Sequence, residues 1–207
     1  YQWTRDNGAL LVYDEVITFR SSYGGAQEWY QVRPDLTAMG KMIGGGFPVG
    51  ALTGRAEVMD VMDPLADKVL FPHSGTFSAN PITMTAGLVT MELFDEAAVL
   101  KLNALAEYAR AQITEAIRLA DIPACVSGGG SMFRVHMKPE APINYRAAFE
   151  TPEQAARLKV LLDHLFDNGI MMINTCSGTL STVMTEKEVD ILVDAMLGGF
   201  RKIKELK

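Results

Sequence analysis

Leu36-Thr37-Ala38-Met39-Gly40-Lys41-Met42-Ile43-Gly44-Gly45-Gly46-Phe47-Pro48 decides how this chain is read. Leu36 to Met39 is a short apolar run of strand length, and it delivers a lysine walled in by small residues. Upstream, Leu11-Val12-Tyr13-Asp14-Glu15-Val16 is a second apolar run, and it ends on acids. Taken separately, a lysine before a glycine run reads as a solvated turn residue, and Asp-Glu after an apolar run as a strand end or helix cap. The helix cap is weakened at Asp14, because the following Val16-Ile17-Thr18-Phe19 is β-branched and aromatic. Taken together, the two runs end one strand on an acid and let a short later strand deliver a lysine.

That pair has the chemistry of a pyridoxal phosphate (PLP) site. The lysine would hold the cofactor as a Schiff base, and the acid would keep its ring nitrogen protonated so that the ring works as an electron sink. A lysine attacks a carbonyl only in its neutral form, which desolvation and a nearby cationic ring both favour.

Further along, several short motifs fall in a consistent order. They are Asp14-Glu15-Val16, Gly24-Gly25-Ala26-Gln27, Pro34-Asp35-Leu36-Thr37, Gly40-Lys41, Gly44-Gly45-Gly46-Phe47-Pro48-Val49-Gly50, and Ser74-Gly75-Thr76-Phe77 with Asn80-Pro81. In that order they resemble the class-III aminotransferases of PLP fold type I, and within them the subgroup around glutamate-1-semialdehyde aminomutase and the β-amino-acid transaminases. The looser resemblance runs to the C-terminus.

The resemblance implies an α/β fold: residues 1–98 as the second part of the large, mostly parallel-sheet PLP-binding domain, and residues 99–207 as a bridging helix and a smaller α+β C-terminal domain. The opening Tyr1-Gln2-Trp3-Thr4-Arg5-Asp6-Asn7-Gly8 has no initiator Met and reads as a helix end closed by Gly8 before a strand. On this reading the chain is the C-terminal half of the family's protein.

Composition agrees without deciding. The chain has 207 residues, 48% of them hydrophobic, enough for a substantial core. A net charge of -6 and no basic run argue against nucleic acid as a partner. No apolar stretch reaches membrane-spanning length, and no signal peptide opens the sequence. Cys125 and Cys176 lie far apart with no paired spacing, and read as reduced thiols of a cytoplasmic protein. His73, His136 and His164 are scattered, which offers no metal cluster.

Pattern along the chain predicts Ala9 to Tyr13 as a fully buried parallel strand and Ser21 to Gln27 as an exposed loop. Strands at Leu36 to Met39 and Val49 to Thr53 precede a short helix, Arg55 to Met62, that Pro64 ends. A loop from Phe71 to Asn80 leads to a helix from Pro81 to Phe94, with proline at its first position. Leu100, Leu102, Leu105, Tyr108, Ile113, Ile117 and Leu119 mark a longer amphipathic helix up to Asp121. Beyond it come a strand at Met132 to Met137, a helix from Pro152 to Asn168 closed by Gly169, and strands at Ile170 to Ile173 and Leu180 to Met184. A final helix opens on the capping box Thr185-Glu186-Lys187-Glu188.

Each candidate carries a role. Lys41 is the expected catalytic residue and anchors the cofactor. Asp14 pairs with the ring nitrogen, and Val16 packs against a ring face, with ordinary core packing as its alternative. Gly44, Gly45 and Gly46 suit a mobile segment, a close approach to cofactor or neighbouring subunit, or equally a flexible turn. Gly75 and Thr76 offer a backbone N–H and a hydroxyl to a phosphate. The resemblance implies that this pair reaches the cofactor phosphate of the other subunit of a homodimer. Arg20 and Arg134 have the chemistry to bind a substrate carboxylate, but most arginines are surface residues and neither is assigned.

The implied reaction is a ping-pong transamination that moves an amino group from an amine or β-amino acid to a keto acid. Gly24 to Gln27 followed by Trp29-Tyr30, and Gly44 to Gly50, look like the aminomutase, whereas His73 to Phe77 look like the β-amino-acid transaminases. Ile173-Asn174-Thr175-Cys176-Ser177-Gly178-Thr179-Leu180 departs from both, which favours the transaminase over a dedicated aminomutase. The alternative of another class is a non-catalytic PLP-binding or structural fragment that needs a partner chain. Retention of Asp14, Lys41 and Thr76 together argues against it, since a binding module has no chemical need for the lysine.

Overall fold

The computed structural model describes residues 1–205; residues 206 and 207, the end of the expected second domain, lie outside the described residues. The chain divides into two compact units, Tyr1–Val99 and Leu100–Lys207. In the first unit, helix α1 (Gln2–Asp6) precedes strand β1 (Val12–Asp14), a short helix α2 (Gln27–Tyr30), and strands β2 (Leu36–Gly40) and β3 (Gly50–Gly54). Helices α3 (Ala56–Met59) and α4 (Pro81–Leu93) follow. The sheet order is β1-β2-β3, with β1 parallel and β3 antiparallel to β2.

Asp35 anchors the lower end of the parallel pair. Its fully buried carboxylate accepts the Leu11 N–H at 2.8 Å and pairs with Arg55 and Arg5, each at 2.9 Å. The Leu11 N–H first, then the Arg55 guanidinium, hold that carboxyl below its ordinary range, although burial opposes them.

Two expectations for this unit are corrected. The strand at Ala9 to Tyr13 is not fully buried: it begins only at Val12, and Leu10 and Val12 stay 53% and 51% exposed. β1 is the edge strand of the sheet, and its Tyr13 ring meets Tyr30 of α2 edge-on at 6.5 Å. Conversely, Ser21 to Gln27 is not an exposed loop, because Ser21, Gly25 and Ala26 are buried. The segment folds onto the carboxylate of Glu15, itself 1% exposed, which takes the N–H groups of Ala26 and Gln27 at 3.1 and 2.9 Å. A buried carboxylate must find donors, and this glycine-rich turn supplies them.

The second unit has an apolar core. Helix α5 (Glu96–Ala120), in whose first turn the division falls, leads to the antiparallel strands β4 (Cys125–Gly129) and β5 (Met132–His136). Helix α6 (Pro152–Asp167), strand β6 (Ser177–Thr179) and helix α7 (Glu186–Glu205) complete it, and β6 is antiparallel to β5. On α5 the buried stripe is Leu102, Ala106, Ala109, Ile113, Ala116, Ile117 and Ala120, whereas Leu100 and Leu119 are exposed. The stripe follows the alanines, which a reading keyed to large side chains passes over.

The expected cap at Thr185 forms, and α6 carries a capping box that was not expected. Thr151 and Gln154 close a reciprocal capping box on α6, and Glu188 accepts the Thr185 N–H at 2.8 Å at the start of α7. Gly198 and Gly199 of α7 admit α6, since a Cβ on Gly199 would lie 2.7 Å from Leu161.

The strands expected at Ile170 to Ile173 and Leu180 to Met184 do not form. Met171 and Ile173 are exposed, and the chain turns where the Cys176 N–H meets the Ile173 carbonyl with Cys176 at φ +51°. The ladder is made instead by Ser177-Gly178-Thr179, a poor strand by propensity. The Phe133 ring lies where a Cβ on Gly178 would be, 2.4 Å away, so tertiary packing overrides local preference.

His136 yields a pH prediction. It is buried on β5, its Nε2 lies 2.8 Å from the Ser127 hydroxyl, and its Nδ1 has no hydrogen-bond partner. Burial, then the charges of Arg134 and Lys138, push its pKa down from 6.5 to about 4. The unfolded chain therefore takes up the proton first as pH falls. The stability that neutral His136 contributes is complete above pH 6.5 and is lost as pH falls toward about 4, on the order of 2 kcal/mol. His136→Gln should flatten that part of the profile, read as urea midpoints between pH 7 and 4.

Candidate active site

The parallel register brings the first two candidates together. Val12, Tyr13 and Asp14 pair with Leu36, Thr37 and Ala38, and the Glu15 N–H extends the ladder to the Ala38 carbonyl at 2.8 Å. Asp14 and Lys41 thus lie at the carboxyl ends of adjacent parallel strands, the place where open α/β sheets bind their ligands. Asp14 is exposed, and its Oδ1 accepts the Val16 N–H at 3.1 Å, which leaves Oδ2 without a partner among the described residues. Val16 is half-buried, with Cγ1 3.5 Å from where a Cβ on Gly40 would stand. Val16 therefore packs on the residue that precedes Lys41.

Lys41 begins a 3-10 turn, Lys41–Gly44, with φ +54°. For a residue with a Cβ that left-handed conformation costs about 1–2 kcal/mol, so the surroundings must hold it. The glycines show how. A Cβ on Gly45 would lie 2.3 Å from the Ala86 carbonyl oxygen, and one on Gly87 would lie 2.2 Å from the Ile43 carbonyl oxygen. The turn after Lys41 is locked backbone-to-backbone against α4. The close approach expected at Gly44 to Gly46 is thus made at Gly45 to a helix of the same chain, and this contact replaces the flexible turn. Lys41 itself is exposed and makes no hydrogen bond or ion pair among the described residues.

Gly75 and Thr76 sit on the exposed segment before α4. Asn80 Oδ1 caps that helix by accepting the N–H groups of Ile82 and Thr83, and Pro81 follows as the first helical residue. The Gly75 carbonyl accepts from Ser78 at 3.0 Å, and Thr76 has no hydrogen bond among the described residues. No hydrogen bond or ion pair of the described residues joins this pair to Asp14, Val16 or Lys41. Arg134 lies on β5 in the second unit, 3.8 Å from Glu150. Sequence reasoning assigned no role to Glu15, although its place between Asp14 and Val16 was a signal.

The aminotransferase class-III family model matches residues 1–198. The chain belongs to the class-III aminotransferase family. This is a PLP-dependent family, and the fold is that of PLP fold type I. The chain is 37% identical over 199 residues to the glutamate-1-semialdehyde 2,1-aminomutase of Archaeoglobus fulgidus, an alignment covering 93% of this chain and 46% of the relative. The omega-transaminase from Sphaerobacter thermophilus superposes with a TM-score of 0.95 at 42% identity, covering 98% of this chain and 46% of that one. The beta-phenylalanine aminotransferase from Variovorax paradoxus gives a TM-score of 0.90 at 30% identity, covering 99% and 47%. The chain therefore spans about half the length of these relatives.

The functional groups present fit PLP. Among the described residues, an amine without a partner, a carboxylate with one oxygen unengaged, an apolar side chain between them in sequence order, and a hydroxyl without a partner next to a glycine N–H match what an aldehyde, a ring nitrogen, a ring face and a phosphate require.

Backbone strain at Lys41 makes a prediction independent of chemistry. Glycine adopts φ +54° freely, so Lys41→Gly should be more stable than Lys41→Ala by about 0.5–1 kcal/mol even after its larger unfolded-state entropy. Urea unfolding of the two variants measures the difference.

Proposed function

We propose that this chain carries the catalytic half of a PLP-dependent aminotransferase that moves an amino group from an amine or β-amino acid to a keto acid. The observation that carries the reading is the placement of Asp14 and Lys41 at the ends of adjacent parallel strands, with Lys41 held in a left-handed conformation and unpaired. The likeness to an omega-transaminase and a beta-phenylalanine aminotransferase supports the substrate class.

When bound, PLP supplies an aldehyde that condenses with primary amines and a protonated ring that withdraws electrons. Lys41 would hold the aldehyde carbon through its Nζ and, as a neutral amine, would serve as the base that takes up and returns a proton at the substrate carbon. Asp14, whose Oδ1 accepts the Val16 N–H, would keep the ring nitrogen protonated. Val16 would pack against the ring. Gly75 and Thr76 donate to a phosphate, and their exposure supports a site shared across a homodimer. Residues 1–98 serve as the cofactor-binding part and 99–207 as the bridging helix and small domain. The place of action is the cytoplasm, a reading supported by two free cysteines and by the lack, among the described residues, of a helix long and apolar enough to cross a membrane.

A second reading is favoured by the 37% identity to an aminomutase: re-amination of the same molecule at a neighbouring carbon. Assays with β-amino acids plus a keto acid, beside glutamate-1-semialdehyde alone, separate the two.

Borohydride reduction of the loaded protein followed by intact and peptide mass analysis should find PLP covalently attached at Lys41. Lys41→Ala should abolish both adduct and turnover while the protein stays folded, and unchanged turnover would overturn the assignment. Asp14→Ala should retain PLP yet lose activity on the order of 100-fold. Undiminished activity would remove Asp14 from the mechanism.

A further inference from the structure

We infer that Glu15 is a positioning residue for the cofactor end of this site, its buried carboxylate fixing Asp14 and Val16 against the Gly40–Lys41 end of β2. The inference rests on the reading of Asp14, Val16 and Lys41 given above.

Glu15 is 1% exposed, and its carboxylate accepts three hydrogen bonds. Thr18 Oγ1 donates to Oε2 at 2.5 Å, the Ala26 N–H to Oε2 at 3.1 Å, and the Gln27 N–H to Oε1 at 2.9 Å. The main chain of the same residue is held as well: its N–H donates to Ala38 of β2 at 2.8 Å, and its carbonyl accepts from Phe19 at 3.1 Å. One residue thus joins β2, the turn through Thr18 and the segment before α2.

The partner segment is shaped to this carboxylate. Gly25 has φ +84°, and a Cβ there would lie 2.9 Å from Glu15 Oε1, so a glycine is needed on both grounds. Glutamine in place of Glu15 has a single acceptor oxygen, and its NH₂ would face a backbone N–H that needs an acceptor. An apolar residue would leave two N–H groups unsatisfied. The geometry therefore calls for a side chain with two acceptor oxygens.

Asp14 and Val16 flank this anchored residue. Val16 both donates its N–H to Asp14 Oδ1 at 3.1 Å and places Cγ1 3.5 Å from a Cβ position on Gly40. A shift of the 14–18 turn would therefore move the acid and the apolar contact together, relative to Lys41. That is how Glu15 acts on cofactor chemistry without touching the cofactor.

The test uses the PLP-loaded holoenzyme and two variants, Glu15→Gln and Thr18→Val, at temperatures where circular dichroism shows each folded. For Glu15→Gln we expect PLP affinity, from titration of the apoprotein, to fall about threefold to tenfold, the scale of one charge-assisted hydrogen bond after relaxation. The pH midpoint of the bound cofactor's visible absorbance should move, and kcat should fall more than KM for the amine changes. Thr18→Val, which keeps the carboxylate and both backbone donors, should shift the same readouts in the same direction and by less. A merely structural clasp would lower the melting temperature and leave the pH midpoint in place. Folded variants that bind PLP and titrate as the parent does overturn the inference; if Glu15→Gln fails to fold, Thr18→Val decides alone. A parent protein that shows neither visible cofactor absorbance nor a trapped adduct overturns the underlying reading and this inference with it, and that failure is distinguishable because it appears before any substitution.

Discussion

The register of β1 on β2 is the constraint on which the site depends. A slip of one residue would turn Asp14 to the opposite face of the sheet, because successive side chains alternate. Three strand residues are a short ladder to carry that specification, and it is reinforced at one end by the Asp35 carboxylate and at the other by the Glu15 main-chain N–H. Asp35 ties the entry of β1 to the entry of β2 through the Leu11 N–H and two guanidinium groups. Glu15 ties the exit of β1 to β2 and to the turns beyond it. Each buried acid has three partners, and such hydrogen bonding is what lets a buried polar group organise a fold rather than disrupt it.

Placing Lys41 is a separate problem, solved by backbone contact. The residue leaves β2 in a left-handed conformation, and the following turn is pressed against α4 at distances only glycine tolerates. Rigid backbone on backbone holds a lysine whose own side chain stays free, which suits a group that must exchange partners during a reaction. The same helix is started by Asn80 and Pro81, just after Gly75 and Thr76. One element therefore braces the lysine turn and ends the loop that bears the candidate phosphate donors.

The two units are held by different forces. In the second, Leu102, Ile113, Val135, Leu161, Leu165, Met196 and Phe200 are buried together with small residues that let helices approach. In the first, the buried side chains include Glu15, Asp35, Ser21, Thr37 and Thr83, while Val12, Ile82, Leu88 and Leu93 are exposed. Its order rests on hydrogen bonds and on glycine contacts, and its apolar faces have no cover among the described residues.

Much of this was legible in the sequence, for physical reasons that can be named. Strand-length apolar runs ending on Asp14 and Lys41, the prolines at the helix starts, and the box at Thr185 are local signals, and local chemistry fixes them; the box at Thr151 is equally local but was passed over. Thr151-Pro152-Glu153-Gln154 needs only its own four residues to cap α6. The strand at Ser177–Thr179 was not legible, since its partner is the Phe133 ring lying over Gly178. Nor was the buried role of Glu15, whose donors come from residues as far along the chain as Gln27. The sequence by itself determined the family, the motif order and the chemical groups available to a cofactor, because these depend on residue type and near-neighbour spacing. Only the tertiary structure decided that Glu15 is enclosed while Asp14 is open, and that Gly45 meets a helix. Burial and close approach are made by segments distant in sequence, and no local pattern encodes them.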